Sequence, residues 1–245
     1  MRTLKITLAY DGTRFVGWQR QAKGESIQGL LEDALARFEG GPVTAHGAGR
    51  TDAGVHALGQ VASARVTFAQ NPATLVRALN ANLPGEIRVV SVEDADDSFH
   101  ARFSASGKTY RYRIHNTPVA DPFERAFEWH LPEALSLDAM SQAATLIVGT
   151  HDFSAFRSVG SDASSTVRTV TRSEWRHSAG ALTYEIAGDG FLRHMVRAIV
   201  GTLVEVGRGW RQADEIPALL ARGTRAEAGA TAPPQGLFLV SVDYD

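Results

Sequence analysis

The sequence predicts an α+β fold of two ferredoxin-like subdomains, residues 1–105 and 106–245, forming one extended, mainly antiparallel sheet with a central cleft. Three observations carry this. Short segments alternate apolar and polar residues with period two; capped amphipathic helices lie between them; and the first hundred residues order these elements as β-α-β-β-α-β. A comparable set follows after residues 104–108, and a chain of 245 residues accommodates two small domains packed together.

Leu4, Ile6, Leu8 and Tyr10 alternate with Lys5, Thr7 and Ala9 as a half-buried strand. Ser26 is placed to cap a helix whose apolar stripe is Ile27, Leu30, Leu31, Ala34, Leu35 and Phe38, and Gly40-Gly41-Pro42 ends it. A strand is predicted over Ala62–Phe68, and Asn71-Pro72 opens a helix with Leu75, Val76 and Leu79 on one face. Pro84-Gly85 stops that helix ahead of a strand at Ile87–Val92. In the second half, strands are predicted at Thr109–His115, Val167–His177 and Leu182–Ala187. Helices are predicted at Leu137–Val148, Phe191–Val206 and Ala213–Ala221, and a last strand at Leu237–Val242 follows a Gly/Ala/Pro-rich stretch. Arg157–Ser165 reads as a polar loop with a single basic residue, too lean in charge to form a basic patch.

Composition narrows the classes. Hydrophobic residues make up 44% and charged residues 21%, so a buried core is feasible. No apolar run reaches the roughly 18 residues of a membrane span, the N-terminus has no signal-peptide centre, and cysteine is absent. A soluble cytoplasmic protein without disulfides or thiolate metal sites is expected. The net charge is −2, but residues 1–120 hold 14 basic against 11 acidic side chains. Of the 25 basic residues only Lys5, Lys23 and Lys108 are lysines, leaving 22 arginines, the residue suited to phosphate forks and base stacking. Any nucleic-acid contact must be a local patch.

The most unusual segment is His46-Gly47-Ala48-Gly49-Arg50-Thr51-Asp52-Ala53-Gly54-Val55-His56. Its glycines permit backbone angles and approaches that side chains forbid. On composition alone the plain reading is a glycine-rich turn in which Asp52 caps a helix or bonds backbone amides. No dinucleotide fingerprint, P-loop, nucleophile elbow or zinc-protease helix is present, and the eight histidines show no ligand spacing. A carboxylate and arginines remain, with no metal or cofactor apparatus expected.

Gly49-Arg50-Thr51-Asp52-Ala53-Gly54-Val55-His56 resembles the signature of the TruA family of tRNA pseudouridine synthases. Six further blocks agree in the family's order: Tyr10-Asp11-Gly12 with Gly17–Gln21, Asn80–Pro84, Phe99–Ala105, Tyr110-Arg111-Tyr112, His151–Phe156 and Phe191–Arg197. The resemblance runs from the first strand to the last, and the expected architecture is also described as RRM-like.

The resemblance implies an isomerase that converts uridine to pseudouridine in the anticodon stem-loop of tRNA, at positions 38, 39 and 40, without cofactor. It implies Asp52 as the nucleophile, Arg197 as its arginine partner, Tyr110 as the ring that packs on the target base, and a homodimer. Arg50, two residues before Asp52, could fill the gap left by a flipped base. Read without the resemblance, Arg193 and Arg197 are two solvated arginines four residues apart on one helix face, and Tyr110 is a core aromatic. Phe191, His151 and Phe156 could line the cleft or simply pack. The alternative class is a non-catalytic RNA-binding or tRNA-folding chaperone on the same scaffold. A glycoside hydrolase would want two carboxylates about one bond, and only Asp52 has a plausible cleft position.

Overall fold

The computed structural model describes residues 1–158, 164–178 and 180–245. Part of the polar loop expected at 157–165 therefore lies outside the described residues. These contain ten strands and five α-helices, a mixed α+β fold whose strand pairs are mostly antiparallel. They divide into two compact units, residues 1–106 with 238–245, and residues 107–237.

The first unit opens with β1 (Arg2–Tyr10), α1 (Ile27–Glu39), β2 (Ala45–Gly47), β3 (His56–Val66), α2 (Pro72–Asn82) and β4 (Ile87–Ala95). This is the β-α-β-β-α-β order, although the sequence locates only one of the two strands between the helices, at Ala62–Phe68. Local chemistry sets the helix ends. Ser26 Oγ accepts from Gly29 N–H, and Gly40 closes α1 in the left-handed region at φ 73°. Asn71 Oδ1 accepts from Thr74 N–H with Pro72 in the first turn. Leu83, preceding Pro84, is held extended and ends α2. β1 lies between β3 and β4, antiparallel to both. Leu4, Ile6 and Leu8 are fully buried on one face of β1, with Leu31, Leu35, Leu75 and Leu79 of the helices in the same core.

The second unit holds β5 (Ala105–His115, from residue 107), β6 (Trp129–His130), α3 (Leu137–Thr145), β7 (Gly149–Asp152), β8 (Val167–Ser178), β9 (Ala181–Gly188), α4 (Met195–Gly207) and α5 (Ile216–Arg222). The strands run β5-β9-β8-β7, all antiparallel, with the two residues of β6 parallel to β5. Eleven of the thirteen residues of α4 are buried, so it is apolar nearly all round. It begins at Met195 rather than at Phe191, because His194 adopts a left-handed φ of 62° that cannot continue a helix. Arg193 therefore precedes the helix, and the expected pairing of Arg193 and Arg197 on one helical face does not occur.

The last strand, β10 (Leu237–Tyr244), pairs parallel to β3, Phe238 with His56 and Leu239 with Ala57. That pairing places residues 238–245 with the first unit.

Candidate active site

Asp52 stands on the loop between β2 and β3, and the first unit grips that loop on both sides of it. Trp18 N–H donates to the Thr51 carbonyl at 3.0 Å, and Val55 N–H closes a turn onto the Asp52 carbonyl at 3.1 Å. The Thr51 hydroxyl lies 2.8 Å from the Tyr10 phenol, both buried. Burial pushes that phenol up to about 12, against the hydrogen bonds from Thr51 and Gln60. Tyr10 therefore stays neutral and keeps its proton for bonding. Upstream, fully buried Gln60 donates to the Gly49 carbonyl at 2.9 Å, and Ala48 N–H donates to Val61 at 2.8 Å.

The loop and the segment after β1 meet backbone to backbone. A Cβ on Gly12 would lie 2.0 Å from the Val55 carbonyl oxygen, and one on Gly47 would lie 2.4 Å from the Trp18 indole. Gly17 sits at φ 103°, where its Cβ would come within 2.5 Å of the Thr51 oxygen. Only glycine supplies both the angle and the space. Gly12 N–H also donates to His56 Nδ1 at 3.0 Å. With that lone pair committed, the nearby Asp11 carboxylate, 3.2 Å away, is a neighbour of the ring rather than its ion-pair partner. Asp52 itself is half-buried. Arg50 is exposed and makes no hydrogen bond or ion pair among the described residues.

In the second unit Tyr110 lies on β5 opposite Ile186 of β9 and is buried. The Phe191 ring meets it edge-on, centroids 5.1 Å apart at 77°. Arg197 is half-buried on the first turn of α4. Its Nε–H donates to the Ala232 carbonyl at 2.7 Å, and Ala232 N–H donates back to the Arg197 carbonyl at 3.0 Å. This fixes the plane of the guanidinium. The segment around Ala232 lies hard against α4, because Gly201 leaves room for the Ala230 carbonyl and Thr202 Oγ1 accepts from Gly229 N–H at 2.9 Å. The Tyr112 hydroxyl donates to Pro233 at 2.7 Å. Burial pushes the Tyr112 phenol up while the Arg197 charge pulls it down.

The chemical groups are thus a carboxylate on a loop held at the Thr51 and Asp52 carbonyls, an aromatic ring braced by Phe191, and a guanidinium of fixed plane. Among the described residues no cluster of three His, Cys, Asp or Glu side chains could hold a metal, and no helix is long and apolar enough to cross a membrane. Asp52 and Arg50 belong to the first unit, Tyr110 and Arg197 to the second. The sequence reading named these four but missed the residues that hold them: Tyr10, Trp18, Thr51 and Gln60 around the Asp52 loop, Tyr112 and Ala232 around Arg197. The signal was present for some of these, since Tyr10, Trp18 and Tyr112 lie within the matched blocks. Their partners are distant in sequence, so no local pattern assigned them a task.

A family profile described as tRNA pseudouridine synthase matches residues 6–104 and 143–245. The tRNA pseudouridine synthase A of Syntrophotalea carbinolica is 47% identical over 244 residues, covering 100% of this chain and 97% of that protein. Proteins of the same name from Acetivibrio thermocellus and Geotalea uraniireducens are 45% and 44% identical, each over 244 residues covering 100% of both chains.

Proposed function

Because the chain belongs to the tRNA pseudouridine synthase family, we propose that it isomerises uridine to pseudouridine in tRNA, with Asp52 as the nucleophile. The bond from ribose C1′ to N1 breaks, the base turns, and C1′ joins C5. The C5 proton leaves to solvent and N1 ends protonated, so the product is an isomer and no outside oxidant or reductant is needed. A carboxylate serves here as nucleophile and as a proton acceptor afterwards. Tyr110 offers a face on which the extruded base stacks, recovering part of the few kcal/mol of unstacking. Arg197 is the arginine partner that the family resemblance assigns to this nucleophile. Arg50 enters the space the base vacates. The substrate region is the anticodon stem-loop, and the working species is a homodimer in the cytoplasm.

The observation that carries this reading is the grip on Asp52. The backbone bonds to the Thr51 and Asp52 carbonyls and the buried Tyr10–Thr51 contact hold one carboxylate on a fixed loop, the preorganisation that a nucleophile needs.

The test is tritium release from tRNA transcripts labelled at C5 of uridine, comparing wild type with Asp52→Asn. Release by wild type and none by a folded variant that still binds tRNA supports both the reaction and the nucleophile. Equal release by both removes Asp52 from the mechanism. Binding without release by either protein favours a tRNA-folding chaperone.

A further inference from the structure

Outside the Asp52 loop the first unit carries a row of three rings at its surface. His46 of β2 lies 4.9 Å from His100 at 31°, and His100 lies 4.4 Å from Phe103 at 34°. Phe103 ends the row with 77% of its surface exposed. Phe103 therefore presents an open aromatic surface to solvent.

The row is built, not incidental. The turn that carries His100 and Phe103 is pinned to the sheet through Ala101, whose N–H donates to the buried Ser63 hydroxyl at 3.0 Å. The Ala101 carbonyl accepts from the Tyr244 hydroxyl at 2.8 Å. Ser63 is also the β3 residue whose backbone pairs with His46, so one residue lies behind both ends of the first ring contact. His100 Nδ1 accepts from the backbone N–H of Arg102 at 3.1 Å and of Phe103 at 3.4 Å, which locks the ring's tilt. That lone pair is therefore unprotonated, and the middle of the row is a neutral π surface.

Charge completes the picture. Arg102 is exposed and lies 5.6 Å from the Phe103 ring centre; like Arg50 of the same unit, it has no ion pair among the described residues. A stackable ring beside an uncompensated guanidinium suits an unpaired nucleotide, whose base takes the ring face and whose phosphate takes the cation.

We propose that the His46–His100–Phe103 row, with Arg102, is a second nucleotide subsite, which stacks an unpaired base of the RNA substrate outside the position being isomerised. The inference rests on the reading that the chain acts on tRNA. It also gives a chain of net charge −2 a contact that does not depend on bulk positive charge.

The experiment measures tRNA binding and C5 tritium release for wild type, Phe103→Ala, Phe103→Leu and Phe103→Trp. Thermal unfolding and size-exclusion profiles are recorded for each. Both Phe103→Ala and Phe103→Leu are expected to raise Kd and KM about tenfold, as loss of one base stack does, with kcat at saturating tRNA within about twofold. Phe103→Trp, which keeps a π face, restores binding. Arg102→Ala lowers the salt slope of log K by roughly 0.7–0.9, the signature of one phosphate contact. Wild-type affinity in Phe103→Ala, or full rescue by leucine, overturns the proposal. So does a change in oligomeric state on losing the ring, which makes Phe103 a protein contact instead. Failure of wild type to release tritium while it still binds tRNA would sink the proposed reaction and leave the stacking subsite to be judged by Kd alone.

Discussion

Replacing Gly12 by alanine tests whether the position of Asp52 is set by the backbone contact beneath its loop. The added Cβ would lie 2.0 Å from the Val55 carbonyl oxygen and 2.6 Å from its carbon, whereas ordinary contact begins at 3.4 Å. The two segments must therefore part by about 1.4 Å. Neither side yields readily: Gly12 N–H is bonded to His56, Val55 is buried, and Val55 N–H closes the turn on Asp52. Overpacking of this kind costs about 1–3 kcal/mol. In a chain of this size that is a fall of roughly 2–12 °C in Tm. Because a displacement of about 1 Å at a reacting group costs on the order of a hundredfold in rate, single-turnover tritium release should slow by about that factor. The Kd for tRNA should barely change. Gly40→Ala is the control. It places alanine at φ 73° at the end of α1 with nothing within 4 Å, so strain alone costs about 1–2 kcal/mol. Its rate should match wild type at a temperature where both are folded. If Gly12→Ala keeps the wild-type rate, or if Gly40→Ala loses as much rate as Gly12→Ala, then the contact with Val55 does not govern the carboxylate.

Three further outcomes follow from the same geometry. Thr51→Val removes the 2.8 Å partner of the buried Tyr10 hydroxyl and leaves only Gln60 at 3.4 Å. It should destabilise the protein by about 1–3 kcal/mol in urea unfolding, with Thr51→Ser recovering most of the loss. Burial raises the phenols of Tyr10 (to about 12), Tyr112, Tyr184 and Tyr244 above their ordinary value of 10.0. The unfolded chain then gives up those protons first, so their contribution is complete below about pH 10 and is lost as pH rises. Phenolate absorbance from these four should appear together with unfolding, not before it. Burial, and then the neighbouring His46 and Arg102 charges, hold His100 below the usual imidazole value. Its NMR midpoint should move up in His46→Ala. As pH falls below about 6.5 the unfolded state takes the proton first, so stability declines in that window.

Much of this protein was determined by signals that act over a few residues. The Ser26 and Asn71 caps, the Gly40 stop, and the apolar stripes of α1 and α2 are local, and the structure has each of them. The composition of the Asp52 loop was legible for the same reason, as was its match to a family pattern. The start of α4 was not. The apolar stripe from Leu192 continues unbroken in sequence, and only the left-handed turn at His194, bonded to Ser158 at 2.5 Å, shows that the helix begins later.

Tertiary structure alone decided what each matched residue is for. Gly12 is a glycine because a carbonyl 43 residues later must pass where its Cβ would be, and Thr51 is held by a tyrosine 41 residues earlier. The last strand joins the first unit because it pairs with β3, some 180 residues upstream. Three-residue β2 and two-residue β6 are too short for any period to reveal, and exist only because a longer strand offers them hydrogen bonds. Periodicity and capping depend on neighbours within one or two turns of chain. Close approach, register and the bracing of a side chain depend on which distant backbone arrives there, and the sequence carries that only in the folded molecule.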